Sequence, residues 1–127
     1  GEEVKPMSTG ELPMNVQQQL ARLQQLQQTL SVLISEKQRV QAELEEIKLA
    51  LEELSKADEQ VVVYKAVGPL LIQTTKEKVM AELTEKRDLN DTRLKVLERQ
   101  EARTRTQISE LQKQIQSAVS GRRVEES

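Results

Sequence analysis

VVVYKAVGPLLIQT, running from Val61 to Thr74, is the stretch whose reading decides the fold. Val61-Val62-Val63-Tyr64-Lys65-Ala66-Val67 and Leu70-Leu71-Ile72-Gln73-Thr74 are short β-branched and aliphatic runs parted by Gly68-Pro69. Such side chains suit a pleated surface and Gly-Pro interrupts it, so residues 61–74 are predicted to form a β-hairpin. Val61, Val63 and Val67 would point one way, and Val62, Tyr64 and Ala66 the other, which makes both faces apolar. A lone two-stranded hairpin is marginal in water and offers two open edges. Hairpins from several chains are therefore expected to pair edge to edge into a shared sheet or barrel, with Val61, Val62, Val63, Tyr64, Val67, Leu70, Leu71 and Ile72 as the assembly residues. Packing against the base of the chain's own helices would cover one face but leave the edges open.

On the N-terminal side, Leu23, Leu26, Leu30, Leu33, Lys37, Val40, Leu44, Ile47, Leu51 and Leu54 follow one another at alternating steps of three and four. That is a coiled-coil seam with one polar member, Lys37. Pro13 suits the start of this helix, where its missing N–H costs nothing, so a helix is predicted over 13–57. On the C-terminal side Thr74, with Glu77 three residues on, reads as a capping box that starts a second helix over 75–120. Its seam is Met80, Leu83, Arg87, Asn90, Leu94, Leu97, Glu101, Thr104, Ile108, Leu111, Ile115 and Ala118, and Gly121 is the expected stop. Each arm is about 45 residues, or roughly 65 Å, several times the usual helix of about 11 to 12 residues. Residues 1–11 lack periodicity and are expected to be a disordered tail, as are residues 121–127.

The fold class is thus mainly α: one domain over 1–127, a long antiparallel coiled-coil helical hairpin with one small β-hairpin between its helices. If the second helix folds back about Val67, facing seam residues have numbers summing to about 134. Leu54 then meets Met80, Leu51 meets Leu83, Val40 meets Leu94, Leu26 meets Ile108 and Leu23 meets Leu111. Each polar seam residue falls opposite an aliphatic one: Arg87 opposite Ile47, Asn90 opposite Leu44, Lys37 opposite Leu97, Glu101 opposite Leu33 and Thr104 opposite Leu30. Long polar side chains can then lay their methylenes over the aliphatic partner and send their heads to water.

Beyond Leu23 the seam steps to Gln19 and Val16 and leaves Leu20 beside it. Leu12, Met14, Val16, Leu20 and Leu23 on one arm, with Ile115 and Val119 on the other, give the free ends more apolar surface than the two-helix contact covers. Such surface is either ordinary seam burial with fraying or an exposed binding site. The glutamines at 17–19, 24, 25, 27 and 28 read first as a solvated helix face and second as adaptable polar contacts at the tip.

Composition excludes most other functions. With no His and no Cys, the usual general base, thiol nucleophile and zinc ligands are missing, so no catalysis, metal or cofactor is expected. Adjacent pairs such as Glu45-Glu46 and Glu52-Glu53 diverge by about 100° around a helix and are solvated faces rather than acid/base dyads. No phosphate-binding loop of the G-x-x-x-x-G-K-[ST] kind occurs. The 19 basic and 21 acidic residues are intermixed, which disfavours nucleic acid, and no apolar run approaches the roughly 20 residues of a membrane span. The expectation is a soluble, cytoplasmic protein.

The segment VVVYKAVGPLLIQTTKEKVMAEL, joined to LERQEARTRTQISELQKQIQSA in the second arm, closely resembles the β-type subunit of prefoldin, with archaeal forms the most alike. The likeness runs from Leu12 to Ala118, and V-Y-K-x-V-G between matched arms is its specific part. The extension before Leu12 departs from the family's compact start. The resemblance implies a hetero-hexamer of two α-type and four β-type subunits whose hairpins form a double β-barrel platform carrying six coiled coils. It implies ATP-independent binding of unfolded polypeptides at the coiled-coil tips and their delivery to a group II chaperonin. From the register alone, a chain carrying Leu30→Cys and Thr104→Cys should form an intramolecular disulfide on mild oxidation, visible as a faster-migrating monomer band. A parallel pairing of helices would hold those positions far apart.

Overall fold

The computed structural model describes residues 12–126, with side chains described for 12–121. In chain order it has α1 (Met14–Lys56), β1 (Val63–Val67), β2 (Leu70–Thr74) and α2 (Lys76–Glu126). The described chain divides into two compact units, residues 12–34 with 99–126, and residues 35–98. The tail expected over 1–11 lies outside the described residues.

Helix boundaries follow from who satisfies the terminal backbone groups. Gln17 N–H donates to the Pro13 carbonyl, the first helical bond of α1, and the Gln17 side-chain amide donates to the Leu12 carbonyl at 2.7 Å. At the other end Ala57 N–H turns back on the Leu54 carbonyl. Asp58 then organises the exit, accepting at its side chain from Gln60 N–H and at its carbonyl from Val61 N–H. That turn displaces the hairpin boundary: Val61 and Val62 precede β1 instead of belonging to it.

Two further expectations are corrected. The cap of α2 is Thr75, whose hydroxyl oxygen accepts from Lys78 N–H at 3.2 Å. Thr74 cannot serve, because it is the last residue of β2 and pairs with Val63. Gly121 does not stop α2, which continues to Glu126, so the expected C-terminal tail from 121 is helical as far as that residue. Gly ends a helix efficiently by taking a positive φ, and Gly121 has none.

Every seam position named from the sequence is buried or half-buried, on both helices. Val16 and Leu26 are buried in the first unit, and Val40, Leu44, Ile47 and Leu97 in the second. Each such aliphatic contributes about 1.5–3 kcal/mol through the surface it removes from water. The polar seam members are accommodated by different means. Thr104 is buried, and its hydroxyl donates to the Gln100 carbonyl at 2.8 Å, which leaves its methyl group to the seam. Asn90 Nδ2 is buried with no hydrogen-bond partner among the described residues, an arrangement that costs about 1–3 kcal/mol. Outside the seam, Val32, Leu49 and Leu89 stand exposed singly, as apolar residues on protein surfaces commonly do.

In the second unit the helices are also joined by charge. Glu36 accepts from the Arg39 guanidinium at 2.7 and 3.2 Å and from Arg93 across the helix pair, and Arg39 lies 3.5 Å from Glu43. Glu36 and Arg93 each immediately precede a seam residue, Lys37 and Leu94. Like flanking positions meet across an antiparallel pair and unlike ones across a parallel pair, so the bridge fits helices running in opposite directions. Ala57 and Lys76, bonded at the base of the hairpin, have numbers summing to 133, against 129 for Glu36 and Arg93. The first therefore lies at the level read from the sequence, while the second reaches about 7.5 Å along the axis, a span two long side chains cover.

The hydrogen bond from Arg39, with the nearby positive charges of Arg39 and Arg93, holds the Glu36 carboxyl below the usual glutamate value. A lowered folded-state value means that the stabilisation is fully present above the unfolded glutamate range and is lost as pH falls through the folded value. A carbon-detected NMR titration should accordingly find Glu36 titrating below the usual glutamate value, and Arg39→Gln should return it toward that value.

Candidate functional site

Two places among the described residues gather exposed apolar side chains, and each is built by a different local cause. The first is the β-hairpin. Its antiparallel register pairs Val63 with Thr74, Tyr64 with Gln73, Lys65 with Ile72, Ala66 with Leu71 and Val67 with Leu70. Paired residues share a face, so one face carries Val63, Lys65, Val67, Leu70, Ile72 and Thr74, and the other Tyr64, Ala66, Leu71 and Gln73. Gly68 and Pro69 form the two-residue turn, with Gly68 at φ +55°. Proline fixes its own φ near −65°, which excludes the turn with two positive φ values and leaves type II′.

Among the described residues, two lysines tie the hairpin to the helices. Lys76, itself buried, donates from Nζ to the Ala57 carbonyl at 2.8 Å and to Glu59 at 3.2 Å. It thereby places a positive charge on the unsatisfied carbonyl end of α1. Lys65 on β1 reaches Glu82 on α2 at 2.9 Å. Beyond these contacts the hairpin is bare. Tyr64 is 60% and Leu71 73% exposed, and Val62, Val67, Leu70 and Ile72 are exposed as well, while Val61, Val63 and Thr74 are half-buried. Among the described residues the two strands form the whole sheet, so each has one edge with no partner there. Sequence reasoning identified these residues and missed Lys76, Glu59 and Glu82, which position them. A lysine just after a strand gives no periodic signal.

The second place lies in the first unit, where Leu23 on α1 and Gln112, Ile115, Gln116, Val119 and Ser120 on α2 line an open groove of about 370 Å³. The groove brings together three of the seven tip residues read from the sequence: Leu23 and Ile115, both half-buried, and Val119, 37% exposed. The other four lie outside its lining. Leu12 and Leu20 are half-buried and Met14 is 67% exposed. Val16 is only 3% exposed, which fits the seam-burial alternative for this residue. Gln112, Gln116 and Ser120 were not singled out from the sequence, although their spacing of four residues places them along one helix face.

Among the described residues no three acidic, His or Cys side chains gather where they could hold a metal ion. No helix among the described residues is long and apolar enough to cross a membrane.

Comparison with known proteins gives one answer. The family model described as "Prefoldin subunit" matches residues 17–122. The chain is 46% identical over 111 residues to the prefoldin subunit beta of Archaeoglobus fulgidus, covering 87% of this chain and 96% of that one. It is 45% identical over 108 residues to the prefoldin subunit beta of Pyrococcus furiosus, covering 85% and 92%. Among solved structures, the crystal structure of the prefoldin beta subunit from Thermococcus strain KS-1 superposes with a TM-score of 0.76 at 46% identity, covering 84% of this chain and 93% of that one.

The turn supplies a direct check on the hairpin. A Cβ at Gly68 would meet no neighbouring atom, so Gly68→Ala tests backbone strain alone. The positive φ should make this substitution cost about 1–2 kcal/mol, seen as a lowered thermal midpoint without loss of helical circular dichroism.

Proposed function

This chain belongs to the prefoldin family of chaperone subunits, and we propose that it is an ATP-independent holdase subunit that captures unfolded polypeptides through the exposed ends of its helices. Prefoldin subunits are chaperones and not enzymes. The observation that carries the reading is the bare hairpin, whose two apolar faces and two open edges call for other chains. Without them it would expose Tyr64, Leu71 and their neighbours to water at a cost that a two-stranded sheet does not recover.

On this reading hairpins of several chains pair edge to edge into an intersubunit β-barrel, with an α-type subunit and further β-type copies in a hexamer of two α and four β. The helical ends in the first unit meet the client, and Leu20, Leu23, Ile115 and Val119 supply the apolar contact. Each contact is weak, since a few half-exposed aliphatics bury little area. Several held on one platform raise the effective concentration of the next, so weak contacts sum to capture that still releases. The client is then passed to a group II chaperonin in the cytoplasm.

A structural or tethering coiled coil without affinity for unfolded chains would share the hairpin but not the capture. Light scattering of a chemically denatured client separates the two readings, run beside a mass measurement of the chain alone and with an α-type subunit. We expect mixing to give a discrete complex that suppresses aggregation. Leu20→Ser with Val119→Ser should weaken suppression by about tenfold, given about 0.8 kcal/mol per buried methylene, while the assembled mass stays unchanged. Unaltered suppression would remove the tip assignment, and a complex with no suppression at all would favour the tether.

A further inference from the structure

The groove of the first unit has a lining that apolar capture alone does not call for. Its floor is Leu23, Ile115 and Val119, and its polar groups are the Gln112 and Gln116 amides and the Ser120 hydroxyl, with no charged residue among the six. Each of these polar groups both donates and accepts hydrogen bonds, as a peptide group does through its N–H and C=O. Gln112, Gln116 and Ser120 are exposed, and they recur every four residues along α2. Four residues of α-helix rise about 6 Å, and two residues of an extended chain span about 6.7 Å. Successive members of this ladder can therefore face every second peptide group of an extended strand. The mismatch of less than about 1 Å per step is within the reach of a flexible glutamine.

We propose that the groove binds an extended segment of non-native polypeptide through its main chain. Gln112, Gln116 and Ser120 hydrogen-bond alternate peptide groups while Leu23, Ile115 and Val119 receive one apolar side chain between them. This mode rests on the tip reading above and gives it a specificity: recognition of exposed peptide groups, with indifference to the client's charge. Folded proteins are rejected because their peptide groups are already paired. An oily patch alone would take any apolar surface, folded or not. A glutamine ladder discriminates by backbone availability, the property that distinguishes an unfolded chain.

The test uses the full chain in its assembled form and two neutral, apolar decapeptides of identical sequence, one N-methylated at every peptide nitrogen so that the main-chain donors of both edges are lost. Fluorescence anisotropy should find the methylated peptide bound at least about fivefold more weakly, with little response to salt. Gln112→Ala with Gln116→Ala, exposed positions where alanine keeps the helix, should weaken the unmodified peptide severalfold and the methylated one by less, since the latter keeps only its carbonyl acceptors. Equal binding of the two peptides overturns main-chain recognition and leaves apolar capture standing. Binding of neither overturns both. Should both bind only after deletion of residues 1–11, and equally, the groove's occupant is the chain's own N-terminal segment and the proposal fails.

Discussion

Exclusion of water from one stripe of aliphatic side chains is the constraint on which the structure depends. Val16, Leu23, Leu26, Leu30, Leu33, Val40, Leu44, Ile47, Leu51 and Leu54 give α1 a face that it cannot leave exposed over some 40 residues. With no Phe or Trp and a single Tyr in the chain, no compact core is on offer, and a second helix of matching period is the available cover. The reversal at Gly68-Pro69 delivers that helix within the same chain. Lys76 secures the junction by setting a buried ammonium on the carbonyl at the end of α1.

The two seams are not equivalent. The seam of α1 is aliphatic apart from Gln19 and Lys37, whereas that of α2 includes Arg87, Asn90, Glu101 and Thr104. Two copies of α2 side by side would set like charges and amides against one another, while α1 offers aliphatic surface over which those side chains can extend. The Asn90 Nδ2, buried without a hydrogen-bond partner among the described residues, costs stability and constrains which neighbour α2 accepts. Polar seam residues thus favour pairing of α2 with α1 over pairing with another α2.

Much of this was legible in the sequence. The hairpin, both helices and every seam position follow from a change of hydrophobic period from three-and-four to two and back. The misreadings came where two local signals compete. Thr74 and Thr75 are both competent caps, and the strand claimed the first by pairing it with Val63. Gly121 reads as a stop, yet a glycine with nothing to end simply continues the helix. At the open end the sequence left seam burial and exposure as alternatives, and Val16, beyond the polar step at Gln19, is buried. The polar half of the groove was missed because glutamine on a helix surface is ordinarily only solvated.

What the sequence by itself determined is periodicity: which residues face a partner helix, where the chain turns, and that the hairpin cannot be covered locally. Period and propensity are properties of neighbours along the chain, so one strand of text suffices to read them. Which exposed residues converge was decided only by tertiary structure. Leu23 joins Ile115 and Val119 around one groove while Val16, three residues before Gln19, is sealed away. Lys76 finds Ala57 and Glu59 across the hairpin base. Those contacts depend on how one helix is set against the other, a distance in space that no local spacing encodes.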